Sequence, residues 1–168
     1  MIPADVDMDA LAHQLSEDSV AFGPAVSDSR AAELEPGLID AAAHAQATEF
    51  GSLGIVVLES APAHAPDMRD VAQDLLFATD LDTVIVRAPF SGAVVSDVHS
   101  RSDLESAQHP YLGDPEMVGA TRRFIDDVNT SGVNWFWVAA VVLAAVLAVV
   151  AFTAFSARRR PQGSSAQA

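Results

Sequence analysis

An uninterrupted apolar run near the carboxyl end most strongly limits what this chain can fold into. From Trp135 to Phe155 every residue is apolar except Thr153. Twenty-one residues at a helical rise of 1.5 Å give about 31 Å, which matches the hydrocarbon core of a bilayer. A domain of this size could not bury a helix that is apolar on every face. The run therefore predicts a transmembrane helix over residues 134–156.

The residues at both ends of the predicted span are of the kind that anchors a membrane helix. Aromatic rings favour the headgroup boundary, and arginines resist crossing the bilayer. We predict that the ends of the anchor are formed by Trp135, Trp137, Phe155, Arg158, Arg159 and Arg160. Within the run, a ridge of small residues would permit weak homo-association through Ala140, Ala144 and Ala148.

Orientation follows from arginines on either side of the span. Arg122 and Arg123 precede it, whereas three arginines follow it, and the positive-inside rule compares these counts. The margin of three to two favours a single-pass plasma-membrane protein with an extracytoplasmic N-terminal domain and a cytoplasmic tail. The first seven residues contain neither a basic region nor an apolar run, so no cleavable signal peptide is predicted.

Charge is divided unevenly between the two sides of the apolar run. Before it, six arginines and 23 acidic residues give a formal charge of −17, whereas the tail carries +3, and the chain has no lysine. This excludes a nucleic-acid partner, because phosphate binding depends on Lys and Arg. The absence of cysteine excludes disulfides and thiolate metal sites. We expect the membrane itself and a protein of the cell envelope as partners.

Helix and strand patterns alternate in the soluble part. The strands near 53–58 and 83–86 are continuous apolar runs, typical of strands that are covered on both faces. This predicts a small three-layer α/β/α fold followed by one C-terminal transmembrane helix. The predicted helices are 7–18, 29–49 (interrupted by Pro36), 67–78 and 114–128, and the predicted strands are 20–22, 53–58, 83–86 and 93–95.

Four segments follow from these patterns. We predict an acidic α/β domain over 1–112, a juxtamembrane helix and linker over 113–133, the transmembrane helix over 134–156, and a short basic, disordered tail over 157–168.

The only candidates for a metal site are Asp5, Asp7 and Asp9, which are spaced as at the opening of a calcium loop. Such a loop also needs glycine at its sixth position and glutamate at its twelfth, where this chain has Ala10 and Ser16. Capping of a helix explains Asp7 better. No cofactor and no catalytic residue are predicted.

Two further groups of residues have both a catalytic and a structural interpretation. The first group consists of three acidic residues at i, i+3 and i+7 of one predicted helix, namely Asp67, Asp70 and Asp74. This spacing suits either a carboxylate site or a solvated helix face. A hydroxyl, a carboxylate and an imidazole lie close in sequence among Ser91, Ser96, Asp97 and His99. Because catalytic triads depend on spatial geometry, closeness in sequence is little evidence for one.

Several of these segments together carry a resemblance. The opening Ile2-Pro3-Ala4-Asp5-Val6-Asp7, the helix with Leu11, Leu15 and Asp18, the strand 54–58 and the arginines 158–160 resemble a family of small single-pass membrane proteins of actinobacteria, mycobacterial and corynebacterial. The mycobacterial members are encoded beside cell-wall hydrolases of the NlpC type. The family looks like a divergent relative of TPM domains, which are α/β/α domains often followed by a membrane helix.

The resemblance implies two functions. In TPM domains a glycine-rich, acid-containing segment follows the second strand and is linked to metal binding and phosphatase activity. Here residues 87–94 contain one glycine and no acid, so no catalytic residue carries over. We therefore expect a membrane-anchored, non-enzymatic interaction or regulatory domain linked to cell-envelope (peptidoglycan) enzymes. The alternative is a weak metal-dependent phosphatase of the TPM type.

Overall fold

Helices and strands alternate along the described part of the chain. A computed structural model describes residues 6–62, 65–131, 142–144 and 146. The chain divides into two compact units, Met1–Gly132 and Val133–Ala168. The elements of the first unit, in chain order, are α1 (Met8–Asp18), β1 (Val20–Phe22), α2 (Asp28–Ala47), β2 (Leu53–Val57), α3 (Ala65–Ala78), β3 (Thr83–Ala88), β4 (Ser91–Ser96), α4 (Arg101–Gly113) and α5 (Met117–Ser131).

The four strands form one mixed sheet in the spatial order β1-β2-β3-β4. β1, β2 and β3 are parallel, with Ile55 facing Val20 on one side and Ile85 on the other. β4 returns antiparallel to β3 through a tight hairpin. All four predicted strands are therefore confirmed, and β3 and β4 are each longer than predicted.

Both faces of the sheet are covered, as the continuous apolar strands predict. On the first face, Ile55 and Ile85 pack with side chains of α2, α4 and α5. On the second face, Val56 and Val84 pack with side chains of α1 and α3. Successive residues of a strand point to opposite faces, so each strand contributes to two cores. The prediction of a mixed α/β domain with helices on both faces is confirmed.

The two parallel crossovers have opposite handedness. The steps from β1 to β2 and from β2 to β3 run in the same direction across the sheet. Yet α2 covers the first face and α3 the second. One of the two crossovers is therefore left-handed, whereas about 98% of such connections are right-handed. As a result, the loops that follow β1 and β2 turn to opposite faces at the carboxyl edge of the sheet.

The predicted interruption of α2 at Pro36 is wrong. The helix is continuous from its N-cap, Ser27, whose side chain accepts a hydrogen bond from the N–H of Arg30. A proline in a helix interior removes one backbone hydrogen bond. Burial of Leu38 and Ala41 against the first face compensates for that loss, because both side chains are fully buried.

α4 has no counterpart among the predicted helices. It begins after Ser100, whose side chain caps the N–H of Asp103, and it contains Pro110. α5 begins at Met117, three residues after the predicted start, and runs through the predicted break at 129–132 as far as Ser131. It packs against α2 and α4 through buried side chains such as Phe124. The predicted division at 112 and 133 stays a prediction.

The predicted membrane span lies largely outside the described residues. Of residues 134–156 only 142–144 and 146 are described, as helical positions with exposed side chains. Among the residues that the structure describes, no helix combines the length and the apolar character needed to cross a bilayer. The ends of the anchor, from Trp135 to Arg160, lie outside this part of the chain.

Candidate binding groove

A groove of about 690 Å³ follows the free edge of β4. β4 is the last strand of the sheet, so one of its sides has no strand neighbour within the described residues. The floor includes Val94 and Ser96 of the strand itself. One wall is α3, which contributes Arg69, and the other is α4, which contributes Arg101 and Gln108. We call this depression the β4 groove.

The β4 groove is far less acidic than the domain around it. Arg69 and Arg101 are two of the six arginines that precede the apolar run. Among the acidic residues that the structure describes, only Asp97 and Glu105 line the groove. Glu105 pairs with Arg101 at 2.6 Å across one turn of α4. The groove therefore lacks the negative charge that covers most of the unit.

One end of the β4 groove is formed by an exposed aromatic ring. Ala88 pairs with Ser91, so Pro89 and Phe90 form a two-residue turn between β3 and β4. Phe90 has a φ of 56° and is 79% exposed. Proline followed by a positive φ is the pattern of a type II turn, where the second position favours glycine or asparagine. A phenylalanine here is both strained and unburied.

A second depression, of about 590 Å³, lies at the carboxyl edge of the sheet. The loops after β1 and β2 line it, with Gly23 and Pro24 on one side and Leu58 and Glu59 on the other. These loops diverge to opposite faces, and ligands of open α/β sheets bind at such switch points. Its ionisable side chains, among the residues that the structure describes, are Glu59 and Asp67. Its wall thus offers two carboxylates.

The predicted acidic face of α3 is not assembled into one site. Asp67 lines the carboxyl-edge crevice. Asp70 and Asp74 are exposed positions of the same helix and do not line it. The exposure of these two residues agrees with the interpretation of this helix face as solvated.

The candidate metal ligands at the N-terminus do not meet in the described structure. The side chain of Asp7 accepts a hydrogen bond from the N–H of Ala10 at 3.0 Å and caps α1. Asp9 is exposed in the first turn, and Asp5 lies outside the described residues. Across residues 6–62 and 65–131, no three His, Asp or Glu side chains come together in a group that could hold a metal ion.

At the amino edge of the sheet, hydrogen bonds to Asp82 connect the start of β2 to the loop before β3. The backbone N–H and the hydroxyl of Ser52 both donate to its carboxylate, at 2.8 and 2.7 Å. These bonds, the backbone bond first, hold the pKa of Asp82 below its ordinary value. Gly51, with a φ of 90°, allows the close approach, because a side chain there would collide with the same carboxylate.

Ser96 and His99, which lie close in sequence, make contacts that stabilise the fold and lack the geometry of a catalytic site. The hydroxyl oxygen of Ser96 accepts from the backbone N–H of His99 at 3.1 Å, which closes the turn after β4. The Nε2 atom of His99 lies 2.7 Å from the carbonyl oxygen of Phe50, and the two rings are tilted by 37° with their centroids 4.4 Å apart. Ser91 is at the opposite end of β4. The imidazole is therefore bound to the backbone and not to a hydroxyl.

Sequence reasoning missed Arg87 as a buried charge. It lies near the end of β3 and is only 3% exposed. One terminal nitrogen donates to the carbonyl of Asp114 at the end of α4, and the guanidinium lies 4.4 Å from the ring centroid of Tyr111. Its Nε and Nη1 atoms have no hydrogen-bond partner among the described residues. The feature of the sequence that could have indicated this is a charged residue, Arg87, next to the apolar run of the predicted strand.

The architecture defines an α/β/α domain, and known structures include a similar one. The chain is similar to the N-terminal domain of the cg2496 protein from Corynebacterium glutamicum, determined by solution NMR. The two share 14% sequence identity over 79% of this chain and 88% of that chain, with a TM-score of 0.50. At this identity the likeness concerns the fold alone.

The family is shown by sequence. The family model described as "Membrane protein Rv1476" matches residues 1–167, and the chain belongs to that family of membrane proteins. No curated protein matches the chain.

Proposed function

We propose that this chain is a single-pass membrane protein whose first unit binds a partner protein in the cell envelope and does not catalyse a reaction. Membership of a membrane protein family supports the membrane association. The apolar run, bounded by Trp135 and by Arg158, supports an anchor over 134–156. The arginine margin supports an extracytoplasmic first unit, and the gene neighbourhood of the resembling mycobacterial proteins supports a link to peptidoglycan enzymes.

The β4 groove is the observation that carries the binding proposal. It combines an unpaired strand edge, two helical walls and an exposed aromatic ring, Phe90. Proteins usually blunt their strand edges, because an open edge pairs with other chains. An edge that is left open at the bottom of a groove is typical of domains that bind extended segments.

We also propose a distant relationship to TPM domains, supported by the helices that cover both faces of the sheet. The segment 87–94, which corresponds to the acidic glycine-rich segment of TPM domains, spans the end of β3, the turn and the start of β4. It contains no carboxylate. No observation on this segment favours the phosphatase alternative, and binding is therefore the function proposed here.

Site-specific photo-crosslinking of the full chain in its native membrane tests the proposal. A photoreactive residue at the half-buried Gln108 or at the exposed Arg101 lies in the β4 groove. A control at Phe77 lies near the far end of α3, at a position as exposed as Arg101. We expect one recurrent protein adduct from both groove positions and not from Phe77. Adducts from Phe77 alone, or no protein adduct from either groove position, would refute the binding function.

A further inference from the structure

We infer that Gln108 of α4 makes an autoinhibitory contact: its side chain occupies the edge of β4 in the free protein and is displaced when the partner binds. This inference rests on the proposed function and adds the regulation of the same groove. Three features carry it: the direction of the backbone groups of β4, the hydrogen bond from Gln108 to that edge, and the way in which α4 is held beside it.

The backbone groups of alternate β4 residues face the groove. The carbonyl of Arg87 accepts from the N–H of Leu58 at 2.8 Å, so the backbone of Arg87 faces β2. Its partner across the hairpin, Gly92, therefore faces away from β3. Because backbone direction alternates along a strand, Val94 and Ser96 face the same way as Gly92. A segment that pairs with the edge of β4 would bind to these three residues.

The side chain of Gln108 already pairs with one of these groups. Its Nε2 atom donates to the carbonyl oxygen of Gly92, with 3.4 Å between the two atoms. An N–H group of a bound segment is the same kind of donor and needs the same, groove-facing side of this carbonyl. The segment therefore pairs with Gly92 only after the side chain of Gln108 has moved away.

α4 is fixed at the end from which Gln108 reaches the strand. Tyr111, on the inner side of the helix, is buried against the first face of the sheet. One terminal nitrogen of Arg87 donates to the carbonyl of Asp114 just after the helix, and its guanidinium lies over the ring of Tyr111. The C-terminal half of α4 is thus held beside the β3–β4 hairpin. The contact is released by rotation of one side chain, without movement of the helix.

Release of Gln108 leaves no polar group unpaired, because its amide returns to water and the carbonyl of Gly92 accepts from the bound segment instead. The bond of 3.4 Å is longer than the usual range and is therefore weak. When the contact forms with an equilibrium constant K, the apparent affinity for the partner falls by a factor of 1 + K. For one weak hydrogen bond K is on the order of 1–4, which lowers the affinity about two- to fivefold.

A weak competing side chain suits an edge that would otherwise pair with other chains. An unguarded strand edge accepts extended segments with little selectivity. Gln108 lowers the affinity for each of them by the same factor. Only a partner that makes further contacts in the groove, or that is held nearby in the same membrane, then stays bound.

The opposite wall of the groove provides a matched control. Gln73 of α3 also lines the groove and is half-buried, as Gln108 is. Within the part of the chain that the structure describes, no hydrogen bond joins Gln73 to β4. Methionine is the replacement at both positions, because it resembles glutamine in length and helix propensity but has no hydrogen-bond donor.

NMR of the full chain in detergent micelles tests whether the contact forms. We expect Gln108→Met to shift the carbonyl carbon resonance of Gly92, which loses a donor, and Gln73→Met to leave it in place. We also expect the side-chain amide of Gln108 to exchange with solvent more slowly than that of Gln73. Equal exchange of the two amides, or an unmoved Gly92 resonance in Gln108→Met, would overturn the inference.

Photo-crosslinking from the Arg101 position in the native membrane tests the competition. At half occupancy, a two- to fivefold gain in affinity raises the bound fraction to about two thirds to five sixths. We expect Gln108→Met to raise the yield of the partner adduct about 1.3- to 1.7-fold and Gln73→Met to leave it unchanged. Gln108→Ala removes the bulk of the side chain as well, and it should raise the yield at least as much.

The outcomes separate the inference from the proposed function. An unchanged yield in Gln108→Met, or an equal rise in Gln73→Met, would overturn the inference and leave the binding function in place. A fall in the yield would do the same, because Gln108 would then bind the partner and not compete with it. Absence of the adduct from every variant would overturn the proposed function and the inference with it.

Discussion

The strained turn at Phe90 makes a quantitative prediction about stability. A residue with a side chain in the left-handed region costs roughly 1–2 kcal/mol, and glycine avoids this cost. Glycine in turn loses about 0.5–1 kcal/mol of backbone entropy relative to alanine. Both Phe90→Gly and Phe90→Ala remove the few contacts of the ring, which is 79% exposed. At position 90 the glycine variant should therefore be the more stable of the two, by about 0.5–1 kcal/mol.

Phe77 provides a control at which the sign is reversed. It is 74% exposed, but it lies within α3, where the backbone is helical. In a helix interior glycine is less stable than alanine by about 1 kcal/mol, and part of this difference remains at Phe77, one residue before the end of α3. Phe77→Gly should accordingly unfold more easily than Phe77→Ala, whereas at Phe90 the order is the opposite. The two pairs of variants differ in backbone conformation and not in the exposure of the original ring.

Urea denaturation of the full chain in detergent, followed by far-UV circular dichroism, measures both differences. For an m-value near 2 kcal/mol/M, the predicted gain at Phe90 shifts the midpoint by roughly 0.25–0.5 M. The same order of stability at both positions, with alanine above glycine, would show that Phe90 is not held at a positive φ. The type II turn would then be wrong.

Four further outcomes are expected. The pKa of Asp82 is lowered in the folded state. Its contribution to stability is therefore complete above the ordinary Asp pKa of about 3.9 and is lost as the pH falls through the lowered value. Asp82→Asn should flatten this dependence of the free energy of unfolding on pH, as measured by urea titrations at acid pH. Gly51→Ala should destabilise by at least about 1–2 kcal/mol, because of the positive φ and the collision with Asp82, which thermal melts would show. A fragment of residues 1–131 should be soluble and folded without detergent; aggregation with binding of a hydrophobic dye would contradict this. Neutral residues at positions 158–160 should scramble orientation, as protease accessibility of the first unit in intact cells would report.

The sequence predicts the strands and most helices because their patterns are local. Leu53–Val57 and Thr83–Ala88 are buried throughout, and their continuous apolar runs show this directly. α4 gives a weak signal, because its first turns are polar, Pro110 lies inside it, and its buried side chains are few. Its stability comes from packing against the first face and against α5, which no local pattern reveals.

The opposite handedness of the two crossovers and the β4 groove are not accessible to sequence reasoning. A strand that is buried on both faces carries no information about which face its connecting helix covers. The groove joins Arg69 and Arg101, which lie far apart in the chain, through the edge of a strand between them. Nor does Pro-Phe signal a turn with a positive φ, since that position favours glycine or asparagine.

Membrane anchoring would compensate for the weak binding that one open strand edge provides. Gly92, Val94 and Ser96 offer an N–H and a C=O each, and such bonds contribute about 0.5–1.5 kcal/mol net. After the entropy of ordering a flexible segment is subtracted, an extended segment paired with this edge would bind with a Kd on the order of 1 mM, which corresponds to about −4 kcal/mol. Such an affinity is too weak to capture a freely diffusing partner. A partner anchored in the same membrane reaches effective concentrations on the order of millimolar, at which the groove is about half occupied. Detachment of either protein from the membrane should therefore abolish the interaction while leaving the groove intact.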